Sequence, residues 1–451
     1  MKGQGNLEVA KIYRGTTEVS KIYRGTSLYY DKDVHPDILL NYIANGPDNS
    51  NTRLAYFDTG VVVGAFLPKV EVKAATYNTS TACTIMGGVK GSSWDGVAID
   101  AHRNGNAFVS ARLNATVLTA DVSCNSNEVF TVTAYLDDGD VDPSNSNRRK
   151  GYLIYNNQSY SPSYIPVPTN RGISMYLFAQ NRESGTAVGY TPSGTKIYYV
   201  KIWDNNNLIR FYIPVLHFVD GQYVACFYDK VNGNYIYNIG TDDVVYSATN
   251  YYLLDYIGNG VSVSGTGNGV KSSDAKYDSG VAISRDVNSD VAFVYGNNNT
   301  GSNQEAFIIG DRDSNSNKFG YMFSNAYLRV PGYNITSLVT SSDTKYRVSC
   351  YYNSIAGYNR RAYVNDTLYS NSNTSSAPAN TANLFLFGSG TTNVWAGTQI
   401  YYALFATKNC TTTKTLIPIL ANGLPVYYDL NTNTYISNEG TGYPTYKLIT
   451  S

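Results

Sequence analysis

Charge is scarce in this chain. Its 451 residues carry 34 Lys and Arg against 34 Asp and Glu, a formal net charge of +0, and charged residues make up only 15%. A binder of nucleic acid needs a basic face to meet the phosphates, so nucleic acid is not an expected partner. Long apolar runs are missing as well. None approaches the ~18 residues of a membrane span, and no span is expected. The start, Met1-Lys2-Gly3-Gln4-Gly5-Asn6, is polar with no apolar stretch behind it. The expectation is synthesis in a cytoplasm without a signal peptide. Cysteine is sparse and odd in number, at Cys83, Cys124, Cys226, Cys350 and Cys410. Scattered like this, the five read as free buried thiols rather than a disulfide framework. His35, His102 and His217 lie far apart and give no zinc spacing. No metal and no cofactor is expected.

What the chain does have is Tyr, 43 of them against 15 Phe and 3 Trp, together with abundant Thr, Val, Asn, Gly and Ser. This is the composition of strands and turns, and no amphipathic helical run of useful length occurs. The chain also repeats itself. Lys196-Ile197-Tyr198-Tyr199-Val200-Lys201-Ile202-Trp203 returns as Gln399-Ile400-Tyr401-Tyr402-Ala403-Leu404-Phe405. Ile213-Pro214-Val215 returns as Ile417-Pro418-Ile419, and Tyr228-Asp229 as Tyr428-Asp429. Further forward, Leu40-Asn41-Tyr42-Ile43 pairs with Leu254-Asp255-Tyr256-Ile257, and Phe57-Asp58-Thr59-Gly60 with Tyr277-Asp278-Ser279-Gly280. Ile85-Met86-Gly87 pairs with Ile308-Ile309-Gly310, and Leu177-Phe178 with Leu386-Phe387. The blocks keep their order while the loops change length, as two copies of one domain of about 200 residues would. Their period-2 alternation is that of strands packed on one face. Asn232-Gly233 predicts a type I′ hairpin turn; the second copy, with Thr432 there, is expected to turn differently.

The first residues hold a shorter repeat. Glu8-Val9-Ala10-Lys11-Ile12-Tyr13-Arg14-Gly15-Thr16 is followed by Glu18-Val19-Ser20-Lys21-Ile22-Tyr23-Arg24-Gly25-Thr26, and Leu28-Tyr29-Tyr30 begins a third strand. This predicts a three-strand meander too small to be stable alone. It is either a flap on the body or an assembly arm, and the arm reading assigns its contacts to Ile12, Tyr13, Arg14, Ile22, Tyr23 and Arg24. Residues 31–37 read as a linker.

The ordered set, found twice, resembles the concanavalin-like (laminin-G-like) jelly-roll domains of fibre and other surface virion proteins of phages infecting gut bacteria. The resemblance covers about residues 38 to 451. It implies an all-β chain: an arm and linker over 1–37, then tandem jelly-roll β-sandwiches over 38–247 and 248–451, with 243–251 linking them. It further implies a virion surface protein of head or tail, made in the host cytoplasm. Other virion proteins, of capsid or tail, would be its partners; it would form a homotrimer and contact host cell-surface glycan. The alternative is a non-catalytic lectin-like protein of a bacterial glycan-use system.

Catalysis finds no support in the residues. Jelly-roll glycosidases set two carboxylates astride the scissile bond, carried alternately on one strand as Glu-x-Asp-x-Glu. The seven Glu here form no such array, and Gly-x-Ser-x-Gly is absent. The expectation is a protein that is not an enzyme. Two acidic stretches raise calcium as a possibility: Asp137-Asp138-Gly139-Asp140-Val141-Asp142 and Asp311-Arg312-Asp313-Ser314-Asn315-Ser316-Asn317. The first reads better as a solvated loop neutralised by Arg148-Arg149-Lys150. The second has Ser316 where a calcium loop of that kind requires Gly.

Overall fold

The structure is a computed structural model. It describes residues 34–451 except 49–53, 65–67, 78–82, 91–94, 102–107, 115, 170–171, 183–186, 189–190, 192, 261–274, 283–286, 295–305, 311–319, 325–326, 331–332, 336–343, 354–358, 372–382, 388–396, 408–411, 441 and 451. Before residue 34 it describes 13–14, 17–18, 21–24 and 27–31.

Among the described residues every regular element is a strand. The first half holds two sheets. One runs Thr116–Ser123, Phe108–Leu113, Asp95–Ala101, Cys83–Lys90, Ile173–Leu177, Phe57–Val63. The other runs Gln158–Pro166, Asn145–Tyr155, Phe130–Asp142, Pro68–Ala75, Lys196–Asp204, Asn207–Val219, Gln222–Asp229, Asn234–Ile236. Neighbours are antiparallel; the exception is Gln180–Arg182 beside Cys83–Lys90. Phe57, Ile85, Val97, Phe130, Val132, Ile197, Val200 and Phe227 pack between the sheets. In the second half Thr367–Asn371, Asn359–Val364, Tyr346–Asn353, Val287–Val294, Gln399–Thr407, Thr412–Ala421, Leu424–Asp429 and Thr434–Ile436 form the matching sheet. Its partner runs Tyr277–Ala282, Asn383–Leu386, Ala306–Gly310, Gly320–Ser324, Tyr327–Val330, Tyr333–Ile335. A separate core of Tyr277, Val291, Phe293, Leu386, Phe405 and Tyr427 lies between them. Each half is an antiparallel jelly-roll sandwich.

The duplication read from the blocks is repeated at the level of single hydrogen bonds. Asn238 Oδ1 accepts from the backbone N–H of Tyr56 and Gly240, and Asn438 Oδ1 from those of Lys276 and Gly440. Asp58 caps Gly60 N–H as Asp278 caps Gly280 N–H. Phe178 and Phe387 both sit at φ 62 and donate their N–H to Ile85 and Ile308. A bulky residue at positive φ is uncommon; finding it at the same place twice marks one inherited corner.

The hairpin turns correct two expectations. The turn at Asn232-Gly233 is not type I′, because only Gly233 has positive φ, 76°. It is a four-residue loop in which Gly233 N–H donates to Asp229 O at 2.7 Å. The second copy makes the same turn: Asn433, at φ 58, donates to Asp429 O at 2.8 Å. Asn tolerates the left-handed region well enough to replace Gly there. Paired positive φ values, the mark of I′ turns, occur at Asn156-Asn157, Asn205-Asn206, Asp220-Gly221, Asn365-Asp366 and Asn422-Gly423.

Residues 243–251, expected as a linker, mostly belong to the continuous strand Val245–Gly258. Its first residues pair with Ile38–Ala44 of the first half, and its last with Gln399–Thr407 and Thr445–Leu448 of the second. The expected boundary between 247 and 248 therefore falls inside one strand. Residues 34–37 are likewise built in. His35 stacks on Phe218 at 3.6 Å, Pro36 bridges to Thr450, and Asp37 exchanges backbone bonds with Ile449 and Leu253. The arm is β-structure, but as two separate hairpins rather than one meander: Tyr13–Arg14 with Thr17–Glu18, and Lys21–Arg24 with Ser27–Asp31.

Candidate functional site

The second sheets of the two halves pack on one another through the faces that point away from their own cores. Tyr199, Trp203, Phe211, Ile213 and Val215 meet Tyr402, Leu404, Ile417, Ile419 and Tyr428 in a third apolar cluster. Phe211 meets Tyr402 edge to face, centroids 6.1 Å apart. Four layers are thus stacked, the inner two joined into one closed sheet through Ile38–Ala44 and Val245–Gly258, and Pro68–Ala75 is buried along its whole length. Its polar residues Lys69, Glu71 and Lys73 lie inside the molecule.

They are answered there. Lys201 and Glu71, both with fully buried side chains, pair at 2.8 Å. Lys201 Nζ also donates to Thr415 Oγ1 at 2.7 Å, and Glu71 accepts from the hydroxyls of Thr133 and Thr412. Burial raises the Glu71 carboxyl, but the charge and hydrogen bond of Lys201 together with Thr412 more than reverse this and hold it low. In the second half Asp290 stands opposite Leu404 as Glu71 stands opposite Lys201. Asp290 has no lysine in register and instead accepts Trp203 Nε1–H at 3.1 Å. Lys73 reaches across to donate to Leu430 O and Asn431 O, and Lys230 to Leu254 O and Asp255 O.

These groups set a pH profile. Burial pulls the Lys73 ammonium down to about 8 and that of Lys230 to about 7. The folded chain binds these protons less tightly than the unfolded chain, so stability rises between pH ~7 and the free lysine value near ~10.4. Burial pushes Tyr212, Tyr228, Tyr277 and Tyr402 up. Their stabilisation is complete below the free phenol value of ~10 and is lost as pH climbs past it. Melting followed by circular dichroism is expected to show a maximum near pH 9–10. A melting temperature that is flat from pH 6 to 11 would contradict it.

At the rim of the shared face lies a cleft of about 370 Å³ lined from both halves. The first half contributes the I′ turn Asp204–Asn207, with Arg210 and Asn232; the second contributes Arg347, Tyr363 and Asp366. The two turn tips touch. Asn207 Nδ2 donates to Asp366 Oδ1 at 2.8 Å, and Asn205 Nδ2 to the Tyr363 hydroxyl at 2.9 Å. Arg347 pairs with Asp366 at 2.6 Å, and Arg210 stands 3.5 Å from Asp229. Asn205 Oδ1 is buried with no protein partner. Because the amide can be turned over without changing its shape, one of its two polar atoms lacks a partner in either orientation. Polar side chains from both halves thus converge on this cleft, most of them already paired with one another. In the sequence Asp204-Asn205-Asn206 stands where the second copy has Lys408-Asn409-Cys410, and nothing in that difference names Arg347 or Asp366 as a counterpart.

The residues assigned to assembly lie elsewhere. Tyr13, Arg14, Ile22, Tyr23 and Arg24 are on the two arm hairpins, and Ile12 lies outside the described residues. The first acidic stretch is not a solvated loop. It belongs to the strand Phe130–Asp142, bulged between Asp137 and Val141. Its carboxylates already have partners: Asp138 with Arg361 of the other half at 2.6 Å, Asp140 with Lys150, Asp142 with Arg148. The second acidic stretch, residues 311–317, lies outside the described residues, as does Cys410. Cys83, Cys124, Cys226 and Cys350 are buried and are not joined in disulfides. No group of three or more metal-ligating side chains occurs among the described residues, and no described helix is long and apolar enough to cross a membrane.

The architecture defines a twofold-repeated, all-β sandwich protein whose halves are joined face to face. No family model and no curated protein matches the chain. Among solved structures, it is similar to domains LG4-5 of the mouse laminin alpha1 chain over 85% of this chain and 92% of that one, at 9% identity and a TM-score of 0.29. It is also similar to the native heptameric SAP-like pentraxin of Limulus polyphemus over 47% of this chain and 96% of that one, at 8% identity and a TM-score of 0.30.

Proposed function

We propose that this chain is a non-catalytic structural protein of a phage virion surface, with the arm as its anchor and the fused sandwiches as the displayed body. The observation that carries this reading is the contrast between the two parts. The body is clamped from residue 34 onward, whereas neither arm hairpin pairs with any other described strand. Two-stranded sheets are marginal in water, and open edges invite pairing with another chain. A sister chain in a trimer, or a capsid or tail protein, supplies that pairing. The duplicated block order and its resemblance to virion jelly-rolls support the same reading, and the rim of the body offers a surface for host glycan.

The test removes the arm. A chain beginning at Asp33 keeps every contact of His35, Pro36 and Asp37. It is expected to melt within a few degrees of the full chain, to run as a monomer where the full chain is a trimer in light scattering, and to stay off particles. If it enters particles as well as the full chain does, the arm is only a flap and the proposal fails.

A further inference from the structure

The strand Val245–Gly258 is paired on one side only where it begins. Along Val245–Ala248 it pairs with Ile38–Ala44, whereas its pairs with Thr412–Ala421, Thr445–Leu448 and Gln399–Thr407 start only at Tyr252. From Val245 to Asn250 it pairs with no other described strand. Val245 and Tyr246 are 40% and 44% exposed, and Ala248 and Asn250 are exposed as well. The stretch Val245-Tyr246-Ser247-Ala248-Thr249-Asn250 holds no charge, no proline and no glycine. An open edge of this composition is a template for another strand.

The second half has the same edge in a guarded form. Val245, Tyr246, Ser247 and Ala248 stand opposite Ala44, Ile43, Tyr42 and Leu40. Thr445, Tyr446, Lys447 and Leu448 stand opposite Gly258, Ile257, Tyr256 and Leu254, with the register shifting at the same place. The two strands are therefore equivalent. In the second half Pro444 leads in, and Lys447 pairs with Asp255 at 3.5 Å. Proline and lysine are residues that blunt an edge. In the first half Val244 and Ser247 take their places, and Asn41, in the place of Asp255, donates to Ser247 Oγ at 3.2 Å. The guard is present in one copy and missing from the other.

We propose that the unguarded edge receives the arm hairpin Lys21–Arg24 with Ser27–Asp31 of a second copy of this chain, added strand to strand. The proposal rests on the reading of the arm as an assembly device and names its acceptor. The lengths fit, since strands of four and five residues meet an edge of six. The charges fit, since Lys21 and Arg24 are complementary to the exposed Asp243 at the start of the edge. The hairpin also supplies Tyr23, Tyr29 and Tyr30, and aromatic pairs across strands are favourable. The chain's own arm is not the occupant. It enters the body at the far end of the edge, where Asp37 O accepts Leu253 N–H, and neither of its hairpins pairs with the edge. Each copy thus carries one donor and one acceptor. Head-to-tail contacts of that kind build a ring when the rotation closes, and a trimer is such a ring.

The test uses the full chain. The double variant Asn41→Asp with Ser247→Lys copies the guarded pair of the second half, so its melting temperature is expected to match the parent's. In light scattering it is expected to run as a monomer at concentrations where the parent is oligomeric. A benzophenone amino acid in place of Tyr246 reports what lies on the edge. On irradiation it is expected to join two or more chains, with the cross-linked peptide coming from residues 8–31 of another copy. The proposal is overturned if the parent is a monomer, if the guarded variant associates as the parent does, or if the cross-link stays within one chain or joins a segment outside the arm. Removal of the arm is scored separately. An arm-less chain lost from particles beside an unaffected guarded variant leaves the virion reading standing and puts the arm on another virion protein. An arm-less chain that enters particles refutes that reading whatever the edge binds.

Discussion

Lys201→Ala is expected to cost about 3–5 kcal/mol, a large share of the 5–15 kcal/mol that holds a typical protein folded. The cost comes from what is left behind more than from what is lost. Without the ammonium, Glu71 is a fully buried carboxylate that keeps hydroxyl donors such as those of Thr133 and Thr412 but has lost its ion-pair partner. It must then either remain charged in a poor dielectric or take up a proton. Lys201→Leu, which copies the second half's Leu404, is expected to be nearly as harmful, because Glu71 still loses its partner. Adding Glu71→Leu should recover most of the loss, since a well-packed apolar pair often matches or exceeds a buried ion pair. Equilibrium urea unfolding of the three proteins measures this. A single variant within about 1 kcal/mol of the parent would mean that water reaches the pair and that the shared face is looser than described.

A chain of residues 34–250, the first half alone, is expected not to persist as a native-like monomer. It keeps the core around Phe57, Phe130 and Phe227, but it uncovers Tyr199, Trp203, Phe211, Ile213 and Val215. At ~1.5–3 kcal/mol per large apolar side chain, the cover lost is on the order of 10 kcal/mol, comparable with the whole stability of a domain. The bare face is also larger than soluble monomers usually tolerate. Self-association or unfolding in light scattering and circular dichroism is the expected outcome. A monomer that melts where the parent does would show that the two halves are independent domains and that the fusion contributes little.

Much of this architecture was legible in the residues. Alternation in Phe57–Val63 and Ile173–Leu177 matches the burial seen there, because a strand's side chains point to opposite faces by geometry alone. The repeated blocks identified equivalent residues, and the Asn238 and Asn438 bonds confirm the pairing at single-atom level. The turn at Asn232-Gly233 was placed correctly and typed wrongly. A dipeptide shows that positive φ is affordable there; how many residues close the loop is set by the strand register on either side.

The rest was decided by packing between residues far apart in sequence. In Lys69-Val70-Glu71-Val72-Lys73, alternation marks one face polar, and a polar face reads as one turned to water. Whether water or a second sheet covers it depends on an element more than 200 residues away. The acidic stretch 137–142 was misread for the same reason: a run of carboxylates looks like a solvated loop until Arg361 is placed opposite Asp138. The cleft is the extreme case, since neither Asp204-Asn205 nor Arg347-Tyr363-Asp366 is a motif by itself. By itself the sequence determined the strands, the turns and the duplication, because those follow from backbone sterics and from periods of a few residues. Only the tertiary structure decided which faces are inside and where polar groups converge, because those depend on what each face meets.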